Sequence, residues 1–176
     1  MNVPNILSLI RMCVVPLVPL IYFSEIPYHH LWAALVYLLA SMTDVLDGFI
    51  ARKYNLVTRL GRVLDPLADK LMSFVVLICI IIENPSLFWA GIVFCVKEGC
   101  MGLGALVQYK KINDVPPSNL LGKISTAFFF VVCFVILVVP ELNETVKLAA
   151  IAIAIALNVS AFIWYMLRFI RNKGER

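Results

Sequence analysis

Asp44-Val-Leu-Asp47-Gly48-Phe-Ile-Ala51-Arg52, followed eight residues later by Gly61-Arg-Val-Leu-Asp65-Pro-Leu-Ala-Asp69, is the stretch on which the reading of this chain turns. The segments on either side, from His30 up to Asp44 and from Lys70 to Ile82, are apolar enough to be membrane helices. Ionisable groups in hydrocarbon are costly. They are normally set against a partner, a water-filled cavity or a metal, so a cluster of them marks a functional site.

Composition points the same way. Of 176 residues, 62% are hydrophobic and only 15% charged, against about half and a quarter in soluble domains. Mean hydropathy is +0.93. The expected fold is an all-α integral membrane protein, one domain over residues 1–176. The start, Met1-Asn-Val-Pro-Asn5, has no basic n-region and no small-residue cleavage site after it. The first apolar run is therefore expected to be retained as a helix.

Six apolar stretches can be marked, at Asn5–Phe23, His30–Arg52, Leu64–Ile82, Ser86–Gln108, Leu120–Val139 and Thr145–Phe169. Each approaches or exceeds the ~20 residues that cross a hydrocarbon core. Turn and polar residues separate them, as at Asn84-Pro85 and Pro140-Glu-Leu-Asn143. Pro16 and Pro19 are expected to kink the first helix.

Charge orients the six spans. One set of ends and loops holds Arg52, Lys53, Arg59, Arg62, Lys110, Lys111, Lys123, Arg168, Arg171, Lys173 and Arg176. The opposite loops hold Glu25, Glu83, Glu141 and Glu144, with Lys147 the one basic residue near them. The positive-inside rule then makes both termini cytoplasmic and puts the aspartates at the cytoplasmic side of the bundle. The net charge of +4 forms a basic rim suited to anionic lipid. No nucleic-acid motif accompanies it.

Residues three and four apart share a helical face. Asp44, Asp47, Gly48 and Ala51 therefore line one stripe of helix two, and Gly61, Asp65 and Asp69 one stripe of helix three. A short connection over Lys53–Leu60 makes the two helices antiparallel neighbours whose stripes can face each other. Four carboxylates so placed repel one another, and divalent cations relieve that repulsion. Mg²⁺ and Mn²⁺ suit an all-oxygen donor set, and the lack of an accompanying histidine argues against zinc. Gly48 and Gly61 either let helices pack closely or leave room for a ligand. The ordinary alternative is an ion-paired cluster with Arg52, Lys53, Arg59, Arg62 and Lys70. Two regular registers with interleaved glycines favour a metal site. A divalent-cation transporter also needs membrane carboxylates, but the last two apolar stretches offer few polar residues to continue a path. A catalytically silent scaffold is a third reading.

The string Asp-x₂-Asp-Gly-x₂-Ala-Arg-x₈-Gly-x₃-Asp-x₃-Asp resembles the hallmark of the CDP-alcohol phosphotransferase family, every fixed position being present from Asp44 to Asp69. The resemblance implies a six-helix membrane enzyme. In it an acceptor hydroxyl attacks the β-phosphorus of a CDP-alcohol, usually CDP-diacylglycerol, and CMP leaves. It implies two divalent ions, Mg²⁺ or Mn²⁺, on Asp44, Asp47, Asp65 and Asp69, with Asp69 as general base. It implies contacts to CDP from Gly48, Ala51, Arg52 and Gly61, a homodimer, and a multi-pass place in the cell membrane with the active site facing the cytoplasm.

The acceptor is read from weaker signals. Asn2-Val-Pro-Asn5-Ile-Leu-Ser8-Leu-Ile-Arg11 and Thr58–Met72 resemble the branch of the family that uses glycerol 3-phosphate, the phosphatidylglycerophosphate synthases. A phosphorylated acceptor needs cations of its own. Arg11, Lys97 and Lys123, each expected near the cytoplasmic end of a helix, are the candidates. For Arg11 the alternative is snorkelling to the interface. Ser8, Lys97-Glu98 and Ser125 stand where that branch commonly has Thr, Arg-Glu and Lys. Fewer strong cations leave room for other acceptors, namely phosphatidylglycerol as in cardiolipin synthases, inositol phosphate or serine.

Three further groups complete the reading. Cys13, Cys79, Cys95, Cys100 and Cys133 all fall in apolar segments without a Cys-x-x-Cys pair. They are expected to be buried small hydrophobes, neither disulfides nor zinc ligands. His29 and His30 are expected at the outer interface, across the membrane from the aspartates. Trp32, Trp89 and Trp164 read as interface or bundle residues.

Overall fold

The computed structural model describes the backbone of residues 3–53, 61–111 and 120–174, and side chains over 8–43, 67–102 and 120–167. Seven α-helices make up these residues: α1 Val3–Val14, α2 Leu17–Tyr22, α3 His29–Lys53, α4 Gly61–Glu83, α5 Phe88–Lys111, α6 Leu120–Val138 and α7 Glu144–Gly174. No strand occurs among them. The expected all-α class is the observed one.

The first apolar stretch yields two helices. Pro16 has no N–H to donate and clashes with the preceding turn, so α1 stops at Val14 and α2 starts at Leu17. The junction stays hydrogen-bonded through Val15 N–H to the Arg11 carbonyl (3.0 Å) and, more weakly, Val18 N–H to the Val15 carbonyl (3.3 Å). The break is thus a kink rather than a loop. Tyr28, just before α3, takes φ of 60°, the left-handed conformation that reverses the chain between α2 and α3.

Other boundaries follow from proline and asparagine. Pro85 restricts Asn84 to an extended conformation, φ −128° and ψ 79°, which ends α4. A 3-10 turn over Pro85–Leu87 then leads into α5. Pro140 lies just beyond the end of α6. Asn143 caps α7, its side-chain Oδ1 accepting the Thr145 N–H at 2.9 Å, and Glu144 complements the positive helix start.

Contacts sort the chain into two units, Met1–Glu83 with Phe134–Glu141 and Asn84–Cys133 with Leu142–Arg176. In the first, α1 packs on α3 and α4, α2 packs on the same two helices, and α3 packs on α4. Its core is Val18, Tyr22, Ala33, Ala34, Tyr37, Val76, Leu77 and Ile80, each 1% exposed or less. The alanines of α3 let α2 approach closely. In the second unit α5 packs on α7, and Phe94 of α5 stacks on Phe129 of α6 with ring centroids 5.4 Å apart.

Two helices among the described residues are long and apolar enough to cross a membrane, Leu120–Val138 and Glu144–Leu167. Only 33% of each is buried inside the structure, whereas the core helix of a soluble protein would be mostly covered. Leu39, Ile92, Val96, Val131, Ile153 and Leu167 are among the large apolar side chains left outward. In lipid that surface is the favoured one. The hydroxyls of Thr43 and Ser160 bond back to the carbonyls of Ala40 (2.7 Å) and Leu157 (2.8 Å), which satisfies them without water.

Three cysteines depart from expectation. Cys79 and Cys133 are buried, but Cys13, Cys95 and Cys100 are exposed, and all five are free thiols. An apolar segment of a membrane helix has an outward face as apolar as its core, so hydrophobic neighbours in sequence do not imply burial.

Candidate functional site

The acidic frame is carried by α3 and α4, which pack against each other and both against α1. Asp44, Asp47, Gly48, Ala51 and Arg52 occupy the last ten positions of α3. Gly61 is the first residue of α4, and Asp65 and Asp69 follow at four-residue steps. Both segments are continuous helix, so the registers hold. Asp44, Asp47 and Gly48 share one face of α3, and Gly61, Asp65 and Asp69 share one face of α4. The side chains of Asp44, Asp47, Ala51, Arg52 and Asp65, and the connection over 54–60, lie outside the described residues. Asp69 is half-buried, one position past the fully buried Ala68 and three before the buried Met72. The donor set is oxygen throughout, which fits a hard divalent cation.

Arg11 sits on α1, the helix that packs on both carriers of the frame. It is 2% exposed, and Ser8, one turn earlier on the same face, is fully covered. Snorkelling would have left the guanidinium outside. Burial beside a second polar group instead marks an interior polar face on an otherwise apolar helix.

The other two cation candidates belong to the second unit. Lys123, on the first turn of α6, is exposed. Lys97 is the tenth of the 24 residues of α5, near its middle and not close to its end as expected. A mid-helix ammonium needs partners, and it has two. Lys97 Nζ donates to Glu98 Oε1 and, at 3.2 Å, to Asn158 Oδ1 on α7. The Ser125 and Thr126 hydroxyls, near Lys123 in sequence, both donate to the Gly122 carbonyl at 3.0 Å.

Asn158 was not visible to the sequence reading. It is 6% exposed and joins three helices. One amide inside a long apolar run carries no periodicity. The signal that could have found it is the rarity of such a group in α7, where Asn158 is the one amide side chain before Leu167.

At the other end of the first unit, Tyr22 donates its hydroxyl to Glu83 Oε2. His29 Nδ1 bonds the Tyr22 carbonyl, and His30 meets the Tyr22 ring edge-on at 4.8 Å. These contacts tie α2, α3 and α4 together. Lys147 is buried in the second unit, where it donates to Asn84 Oδ1 at 3.1 Å. Trp32, Trp89 and Trp164 are all exposed, which fits interfacial anchors.

Comparison with known proteins identifies the family. A protein of Bacillus subtilis strain 168 called CDP-diacylglycerol--glycerol-3-phosphate 3-phosphatidyltransferase is 35% identical over 137 residues, 71% of this chain and 70% of that protein. One of the same name from Aquifex aeolicus is 35% identical over 133 residues, 73% of this chain and 71% of that protein. A third, from Rickettsia bellii, is 45% identical over 80 residues, and the chain spans only 44% of that relative's length. The family model for CDP-alcohol phosphatidyltransferases matches residues 1–167. With its outward-facing apolar helices the chain is a membrane protein, and it belongs to the CDP-alcohol phosphatidyltransferase family.

Proposed function

We propose that this protein transfers a phosphatidyl group from CDP-diacylglycerol to glycerol 3-phosphate, forming phosphatidylglycerophosphate and CMP in phospholipid synthesis. The observation that carries the reading is the intact acidic frame on two helices in contact, α3 and α4. Family membership supports the donor, and the names of the relatives support the acceptor.

The chemistry needs few groups. The acceptor oxygen forms a bond to the β-phosphorus, the bond from that phosphorus to the bridging oxygen breaks, and CMP departs with the electron pair. Asp69 takes the proton of the acceptor hydroxyl, a contribution of about 10²–10⁴-fold. Asp44, Asp47, Asp65 and Asp69 would hold two divalent ions, Mg²⁺ or Mn²⁺, and these would supply positive charge against the pyrophosphate and the leaving CMP. Gly48, Ala51 and Gly61 present small surfaces to the nucleotide, and Arg52 adds a cation beside its phosphates. Arg11, Lys97 and Lys123 are the cations that the phosphate of the acceptor requires. Phosphoryl transfer otherwise rests on positioning and electrostatics.

Topology fits this chemistry. The first span is α1 with α2, and α3 to α7 supply five more, giving six spans with both termini in the cytoplasm. One domain covers the chain. The acyl tails of the donor then stay in the bilayer while its cytidine sits at the cytoplasmic edge of the cell membrane. A homodimer within the bilayer completes the picture.

The test is CMP release by purified protein with CDP-diacylglycerol, Mg²⁺ or Mn²⁺, and each of glycerol 3-phosphate, phosphatidylglycerol, serine and inositol phosphate. Turnover with glycerol 3-phosphate, lost with a chelator and restored by either ion, is expected. Preference for phosphatidylglycerol would move the assignment to cardiolipin synthesis, and silence with every acceptor would refute the enzyme reading.

A further inference from the structure

We propose that His29 and His30 form a binding site for a divalent transition-metal ion, of the Zn²⁺, Ni²⁺ or Cu²⁺ class, at the turn between α2 and α3. The phosphatidyl transfer proposed above makes no use of these two residues.

The turn brings two imidazoles together. They are the first two residues of α3, and Tyr28 just before them reverses the chain with its φ of 60°. Their rings lie 3.9 Å apart and 37° from parallel. Both are half-buried. Tyr22 of α2 stands against them. Its ring meets His30 edge-on, and its hydroxyl donates to Glu83 at the end of α4. All of these groups belong to one unit, Met1–Glu83 with Phe134–Glu141.

The surroundings sort the ring nitrogens. The Tyr22 carbonyl can only accept, so His29 Nδ1 carries the proton of the bond between them. In a neutral imidazole the other nitrogen, here Nε2, then presents a lone pair. One nitrogen donating to a backbone carbonyl while the other faces the metal is how ligating histidines are usually oriented. His30 Nδ1 is buried, so Nε2 is the nitrogen of that ring to meet an ion. Two nitrogens each about 2.0–2.1 Å from one ion are roughly 3–4 Å from each other, and the ring spacing is of that size.

The chemistry of the pair selects the ion. Imidazole suits Zn²⁺, Cu²⁺ and Ni²⁺, whereas Mg²⁺ prefers oxygen, so this site differs in kind from the acidic frame. No third His, Cys, Asp or Glu among the described residues completes a cluster with the two rings. Water therefore fills the remaining positions, and the ion exchanges freely. The start of α3 carries the positive end of a helix dipole. The exposed carboxylates of Glu25 and Glu83 offset it and draw cations toward the turn. If the rings served packing alone, replacing them would change stability and leave metal uptake as it was.

The experiment uses the full chain in detergent, free of any affinity tag, with saturating Mg²⁺ to occupy the acidic frame. Ni²⁺ is titrated calorimetrically into wild type, His29→Asn, His30→Asn and the double variant. Wild type is expected to take up one ion per chain more than the double variant. Each single variant should bind that ion at least about tenfold more weakly, since even outer-shell losses are felt on that scale. With Cu²⁺, the electron paramagnetic resonance spectrum of wild type should show coupling to the nitrogens of two imidazoles, and that coupling should vanish in the double variant. Equal Ni²⁺ uptake by all four proteins, or nitrogen coupling that is absent from wild type or survives both substitutions, would overturn the proposal. Should the double variant not fold, the single variants carry the same comparison, with coupling to one imidazole expected in place of two.

Discussion

Replacing Arg11 by Met separates two fates for a cation on a membrane helix. Arg11 is 2% exposed on α1. If it contacts the acceptor phosphate, that contact is made out of water. Hydrogen bonds to charged groups contribute about 1.5–3 kcal/mol, and a buried one belongs at the upper end. At 1.4 kcal/mol per tenfold, the KM for glycerol 3-phosphate should rise about 10- to 150-fold. The KM for CDP-diacylglycerol should stay nearly level. Arg11→Lys keeps the charge but loses the planar fork, so its rise should be smaller, about tenfold or less. The side chain also has protein interactions, and removing one member of a buried charged pair costs about 3–5 kcal/mol. Thermal unfolding in detergent is therefore recorded beside the kinetics, and rates are referred to folded protein. An acceptor KM within about threefold of wild type would remove Arg11 from the acceptor site. A rise of both KM values together would make it a packing residue.

Asp69→Asn should lower CMP release at least about 100-fold while titration of Mn²⁺ still shows most of the binding. Loss of binding with activity would make Asp69 chiefly a ligand. Tyr22→Phe removes the hydroxyl donated to Glu83. Because Glu83 is exposed, water offsets part of the loss, and unfolding stability should fall by about 1 kcal/mol, with little further effect in a Glu83→Ala background, which has no side-chain acceptor. A lipid-soluble thiol reagent should label Cys13, Cys95 and Cys100 in the native protein and reach Cys79 and Cys133 only after unfolding, as mass spectrometry of peptides would show.

Helix positions were legible because composition alone sets them. Runs of about 20 apolar residues bounded by proline, asparagine and charge can hardly be anything else. Those marked at His30–Arg52 and Leu120–Val139 appear as His29–Lys53 and Leu120–Val138. The interruption at Pro16 was legible from the missing N–H. The acidic frame was legible because its spacing repeats the helical period on both carriers. What a single side chain touches was less so. Arg11 and Lys97 look alike in sequence, each a cation preceded by a run of apolar residues. One is enclosed on α1, and the other is held mid-helix by an adjacent glutamate and an asparagine 61 residues away. Cys95 and Cys133 each lie between a phenylalanine and a valine, yet the first is exposed and the second buried. Facing depends on the rotation of a helix about its axis, and a helix apolar on every side gives no sequence signal for that angle.

The unequal lengths of α6 and α7 bear on the choice of bilayer. The 19 residues of α6 rise about 28 Å at 1.5 Å each. The 24 residues of Glu144–Leu167 rise about 36 Å. A hydrocarbon layer thin enough for α6 leaves α7 too long unless it inclines, and one thick enough for an upright α7 stretches past both ends of α6. The basic end of α7, at Arg168, Arg171 and Lys173, prefers the headgroup layer. Lipids of short and long acyl chain should change the strain between these two helices while leaving every residue of the acidic frame unaltered.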